Sequence, residues 1–71
     1  MKKVTFRQLD TENKVTAVLQ MLDFNQVKNW PSGVTWGSEE GIREDLKQGW
    51  NADDYFSFYL NEYDEVETQI G

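Results

Sequence analysis

Asp53-Asp54-Tyr55-Phe56-Ser57-Phe58-Tyr59-Leu60-Asn61-Glu62-Tyr63-Asp64-Glu65-Val66-Glu67-Thr68-Gln69-Ile70 reads as two strands joined by a polar turn. Nearly every residue from Tyr55 to Leu60 is aromatic or otherwise strand-prone. Side chains alternate between the faces of a strand, so Phe56, Phe58 and Leu60 share one face and Tyr55, Ser57 and Tyr59 the other. That pattern predicts a central strand. Asn61 to Glu65 then reads as a hairpin turn, and Val66, Thr68 and Ile70 alternate with Glu67 and Gln69 as a weaker last strand.

The same stretch is acidic. From Asn51 onward there are Asp53, Asp54, Glu62, Asp64, Glu65 and Glu67 with no Lys or Arg, so it carries the whole formal charge of −6. Negative charge is concentrated at one end of the sequence.

Working back from the hairpin, Ser38 can cap a helix that opens on Glu39 and Glu40, two carboxylates at the positive end of its dipole. Ile42, Leu46 and Trp50 lie four apart and form a narrow apolar stripe. Arg43, Glu44, Lys47 and Gln48 are read as facing water, and Gly49 or Asn51 as ending the helix. The preceding stretch, Phe24 to Gly37, is a long loop in which Pro31 and Gly33 favour turns. Trp30, Val34 and Trp36 on that loop are expected to close one end of the core.

Further back, Val15, Val18, Leu19 and Leu22 recur at i, i+3, i+4 and i+7, which predicts an amphipathic helix from Glu12 to Asp23, with Met21 beside its apolar face. Asp10 or Thr11 can cap it. Val4-Thr5-Phe6-Arg7-Gln8 alternates apolar and polar and predicts a first strand with Val4 and Phe6 inward. The expected fold class is α+β, in the order β-α-α-β-β, with two helices packed on one face of a small antiparallel sheet and residues 1–71 forming a single domain.

Composition narrows the function. A chain of 71 residues buries only about 60% of the surface its unfolded form exposes, so the ten aromatic residues must carry much of the core. There is no Cys, hence no disulfide and no thiolate metal site, which fits a reducing cytoplasmic location. The basic N-terminal residues are followed by polar ones, a pattern of neither a signal peptide nor a membrane span. A sequence pI near 4.4 disfavours direct contact with nucleic acid or anionic membrane, because phosphates would be repelled, and favours a basic partner. Solubility alone also asks for net charge of this size.

The chemistry of the chain points away from an enzyme. With no His, the commonest general base and the Ser-His and Cys-His nucleophile systems are missing. The glycines at 33, 37 and 41 match neither the dinucleotide fingerprint nor the phosphate-binding loop. Asp53-Asp54 and Asp64-Glu65 are paired carboxylates, but a glycosidase also needs a deep cleft to split their pKa values. Residues 61–67 lack the central Gly and the register of a calcium loop. No cofactor and no metal is expected.

Binding is the better reading. Residues two apart on a strand are about 6.6 Å apart along one face, so acidic groups around the hairpin could make a row of negative charge spaced like a phosphate chain. Tyr55, Tyr59 and Tyr63 interleave with these charges, and Tyr is enriched at interface hot spots. The candidate binding residues are therefore Tyr55, Tyr59, Glu62, Tyr63, Asp64, Glu65 and Glu67. The plainer alternative, that the Tyr face packs under a helix or shields the sheet, stands equal to it.

The run Val4-Thr5-Phe6-Arg7-Gln8-Leu9-Asp10, two helices, and Asp54-Tyr55-Phe56-Ser57-Phe58-Tyr59-Leu60 resembles the N-terminal half of a Gcn5-related N-acetyltransferase in element order over nearly the whole chain. The resemblance implies a strand, two helices and an antiparallel hairpin. The family's pyrophosphate-binding turn, Gln/Arg-x-x-Gly-x-Gly/Ala, does not occur in the 71 residues, so no cofactor-binding residue carries over.

The expected function is a small inhibitor or adaptor of the kind that phages and mobile elements encode. It would bind a basic protein, a nucleic-acid-binding one among the candidates, with nucleic-acid mimicry as one way of doing so. A partner-completed acetyltransferase-like domain is the alternative, and self-association through the last strand, giving a homodimer, is a third.

Overall fold

The computed structural model describes residues 1–22, 38–52 and 56–70. The elements are β1 (Lys2–Val4), a 3₁₀ turn (Phe6–Gln8), α1 (Thr11–Leu22), α2 (Glu39–Lys47), β2 (Phe56–Leu60) and β3 (Val66–Ile70). The sheet is antiparallel with strand order β1-β2-β3, so β2 is central as its composition requires. This is the β-α-α-β-β order of an α+β fold. The loop carrying Trp30, Val34 and Trp36 lies outside the described residues.

The alternation in the hairpin governs its packing. Phe56 and Phe58 are buried on the face shared with Val4, Val66 and Thr68, while Ser57, Tyr59, Glu67 and Gln69 fall on the other. Val66 lies opposite Leu60, Thr68 opposite Phe58 and Glu67 opposite Tyr59. A one-residue slip would exchange the two faces, and burial of Phe56 and Phe58 opposes it.

The first strand lies earlier than its alternation suggests: it runs Lys2–Val4 and shares only Val4 with the expected residues 4–8. It ends at Val4, and the chain then winds into the 3₁₀ turn, where Gln8 N–H donates to Thr5 O (3.0 Å) and the Gln8 side chain accepts from Thr5 N–H (2.8 Å). In a 3₁₀ turn, residues three apart eclipse. Phe6 and Leu9 therefore share a face and are both buried. Phe6 reaches the core as expected, but from a turn and not from a strand. It meets Trp50 edge-on at 5.6 Å and Phe58 at 5.3 Å between ring centroids, joining the turn, the residues after α2 and the sheet.

Asp10 caps α1 by accepting from Asn13 N–H at 2.7 Å. The buried stripe of this helix is rotated from the one its leucines suggest: Val15, Ala17, Val18 and Met21 are buried, Leu22 is half-buried and Leu19 is 45% exposed. The reason is polar. The face centred on Ala17 carries Asn13 and Gln20 against β3, and turning these two amides to the strand swings Leu19 toward solvent.

Ser38 caps α2, its hydroxyl accepting from Gly41 N–H at 3.4 Å. At the other end Trp50 N–H bonds Asp45 O and Gly49 N–H bonds Leu46 O, both at 3.1 Å, with Gly49 at φ 93°. This is the paired-bond ending that a left-handed glycine permits. Ile42 is buried, while Leu46 and Trp50 pack half-buried on the core, as the four-residue spacing implies. Arg43 does not simply face water. Its guanidinium grips Glu12 through two 3.1 Å bonds and reaches Glu39 at 3.1 Å, tying α2 to the first turn of α1. Hydrogen bonding to Glu12, and next to Glu39, raises the Arg43 pKa above its ordinary range.

Thr68 is the buried polar residue of the sheet's inner face, and its hydroxyl has no hydrogen-bond partner among the described residues. An unpaired buried hydroxyl costs stability, and Val has the same shape without that cost. Thr68→Val is therefore expected to raise unfolding free energy by about 1 kcal/mol, read by urea titration. A loss of stability would show that the hydroxyl is satisfied.

Candidate functional site

The hairpin turn is built by Asn61. Its backbone N–H donates to Glu65 O and its carbonyl accepts from Asp64 N–H, while its side-chain oxygen accepts from Tyr63 N–H at 2.8 Å and Glu65 N–H at 3.0 Å. With Asn61 Nδ2 donating to Glu65 Oε1 at 3.5 Å, five hydrogen bonds converge on one residue. Asp64 sits at φ 58°, the left-handed region that Asp and Asn tolerate better than most side chains. The turn is also fastened to α1, because Asn13 Nδ2 donates to Asp64 O at 2.9 Å.

This frame presents Glu62, Tyr63, Asp64 and Glu65 together, all exposed, with Tyr63 at 74% exposure. Of the seven candidate residues, these four form one cluster. Tyr59 and Glu67 lie two positions back from the turn, opposite each other on the outer face of the sheet. Tyr59 is half-buried there and Glu67 is exposed. Tyr55, with Asp53 and Asp54 before it, lies outside the described residues.

The charge is arranged differently from a row along a strand. On the outer face β3 offers Glu67 and then Gln69, and Lys3 of β1 lies across from Tyr59, so the middle of that face reads Lys3, Tyr59, Glu67 from edge to edge. The acidity gathers on the turn. A strand projects alternate residues to opposite sides, whereas a five-residue turn can splay consecutive ones to solvent.

Sequence reasoning missed two residues that shape the site, Asn13 and Gln20. Gln20 Nε2 donates to Val66 O at 3.0 Å and its Oε1 accepts from Thr68 N–H at 2.8 Å, while Asn13 Oδ1 accepts from Val66 N–H at 3.3 Å. Two side-chain amides take the place that a neighbouring strand would fill along the edge of β3. Pairing of this edge with another copy would have to displace α1 from positions 64–68. The only signal in the sequence is a pair of amides seven residues apart, flanking Ala17 on a helix.

Among the described residues there is no cluster of three or more potential metal-ligating side chains, and no helix is long and apolar enough to cross a membrane. No protein-family model, no curated protein and no solved structure matches the chain.

Proposed function

We propose that this chain is a small protein-binding module, an inhibitor or adaptor, that engages a basic partner through its hairpin turn. The observation that carries the reading is Tyr63: a large aromatic held in the open between Glu62 and Asp64 on a turn pinned by Asn61 and Asn13. Ordering a contact loop before binding removes an entropic cost of association. An exposed Tyr with charged neighbours matches the composition of interface hot spots. A basic partner such as a nucleic-acid-binding protein supplies the complementary charge, and the acidic turn would then stand in for phosphates.

Affinity capture from a cell lysate at low and high salt tests this. Proteins retained by the wild-type chain at low salt should be released at high salt. Tyr63→Ala should weaken retention by about 30-fold, the effect of losing a hot spot of roughly 2 kcal/mol. Glu62→Gln with Glu65→Gln should weaken it further, while Glu44→Gln on α2 should not. Equal retention by all variants would remove the turn from the interface.

A second reading rests on the order β1-α1-α2-β2-β3, which an acetyltransferase-like domain completed by another chain would share. Calorimetry with acetyl coenzyme A, with pyrophosphate as the control, tests the second: binding of the cofactor by the isolated chain beyond that of pyrophosphate favours it, and its absence retires that reading for the chain by itself.

A further inference from the structure

We propose that the groove between α1 and α2 is a binding site for a phosphate-bearing small molecule. A cavity of about 290 Å³ opens there, lined by Thr11, Lys14, Arg43, Leu46 and Lys47. Three of the seven cationic residues of the chain converge on it, and among the described residues its lining includes no carboxylate. In a chain of net charge −6, Lys14 and Lys47 bring to this groove two cations with no ion pair among the described residues, beside an Arg43 held by Glu12 and Glu39.

The three cations differ in what they can give. Arg43 is already held by Glu12 and Glu39, which fixes its position and offsets its charge. Lys14 and Lys47 make no ion pair among the described residues, so their charge is available to a ligand. Lys14 is half-buried, with its ammonium 6.0 Å from the centre of the Phe6 ring, and Lys47 is exposed on the last turn of α2. The Thr11 hydroxyl, at the first position of the twelve-residue α1, adds a neutral donor, the helix start itself being capped by Asp10.

Two ammonium groups from different helices and a hydroxyl suit a compact dianion better than a single carboxylate. Lysine meets phosphate as a point charge and needs no planar fork. The volume is near the lower end of small-molecule sites, which span about 300–1,000 Å³, and Leu46 offers an apolar wall for the body that carries the phosphate. The groove shares no residue with the hairpin surface, so either assignment can fail without the other.

Titration of the ¹⁵N-labelled full chain with inorganic phosphate and then pyrophosphate, against sodium chloride at matched ionic strength, tests the site. Saturable amide shifts are expected at Thr11, Lys14, Arg43 and Lys47, with pyrophosphate binding more tightly. Lys47→Gln and Lys14→Gln should each weaken binding by about three- to five-fold, the range for one exposed charge pair. Lys2→Gln should leave it unchanged. Lys47 is exposed, so its variant keeps the fold even if Lys14→Gln disturbs Phe6. Shifts reproduced by chloride, or affinity unaltered by Lys47→Gln, would overturn the proposal.

Discussion

Replacing Phe6 with Ala is expected to lower the unfolding free energy by about 3–5 kcal/mol, the usual cost of deleting a buried aromatic. Natural domains hold roughly 0.05–0.15 kcal/mol per residue, so a chain of 71 residues has about 4–10 kcal/mol in total, and this one change removes much of it. Phe6 is 1% exposed. It is also where the 3₁₀ turn, Trp50 and Phe58 meet, so its loss opens a cavity between three segments that are far apart in sequence. The surroundings cannot collapse onto it without moving the sheet against the residues that follow α2. Urea unfolding followed by tryptophan fluorescence measures the effect. Phe6→Leu, which keeps most of the volume, should cost clearly less. If Ala and Leu cost the same small amount, Phe6 is not the centre of this core.

Gln20→Ala is expected to cost about 2–3 kcal/mol and to change the behaviour of the chain in solution. Each of its two bonds to β3 contributes about 1 kcal/mol, and the groups left behind, Val66 O and Thr68 N–H, are partly shielded from water and add a desolvation cost. The truncation also uncovers a strand edge, and an exposed edge is a template for pairing with another chain. Sedimentation velocity at two concentrations should therefore show a monomeric wild-type chain and a concentration-dependent dimer for the variant. Gln20→Glu can still accept from Thr68 N–H, but its carboxylate cannot donate to Val66 O, and it should fall between wild type and Ala in stability. A wild-type dimer that Gln20→Ala leaves unchanged would mean that α1 does not guard this edge.

These two residues mark how far the sequence could be read. Phe6 was recognisable as core from its alternation with Val4, although the element that carries it was not. The reciprocal bonding of Thr5 and Gln8 bends the chain after Val4, and a five-residue alternation does not distinguish a strand from a strand ending in a 3₁₀ turn. Gln20 was invisible as a structural residue, since a polar side chain on an amphipathic helix is expected to face water. Leu19 was misread for the same reason in reverse. Its spacing fits the apolar stripe, but the requirement to satisfy the edge of β3 sets the rotation of the helix.

In the candidate site, the grouping of Glu62, Tyr63, Asp64 and Glu65 followed from their position in a hairpin turn. That Asn61 would order the turn with its side chain, and that Lys3 would stand across from Tyr59, depended on register and on strands distant in sequence. The basic groove depended on distance too: Lys14 and Lys47 are 33 positions apart and meet only because α1 and α2 pack together.

By itself the sequence determined the α+β class, the central place of β2, the inward faces of Phe56 and Phe58, the cap at Ser38, the choice of Asp10 or Thr11 as the cap of α1 and the acidity of the turn. Each is local, set by side-chain alternation, backbone preference or charge within a few residues. Only the tertiary structure decided which face of α1 is buried, how the edge of β3 is closed, where Arg43 finds its partners and where cations gather. Those outcomes are fixed by hydrogen bonds and ion pairs between segments that the sequence keeps apart, and their energies exist only once the chain has brought the segments together.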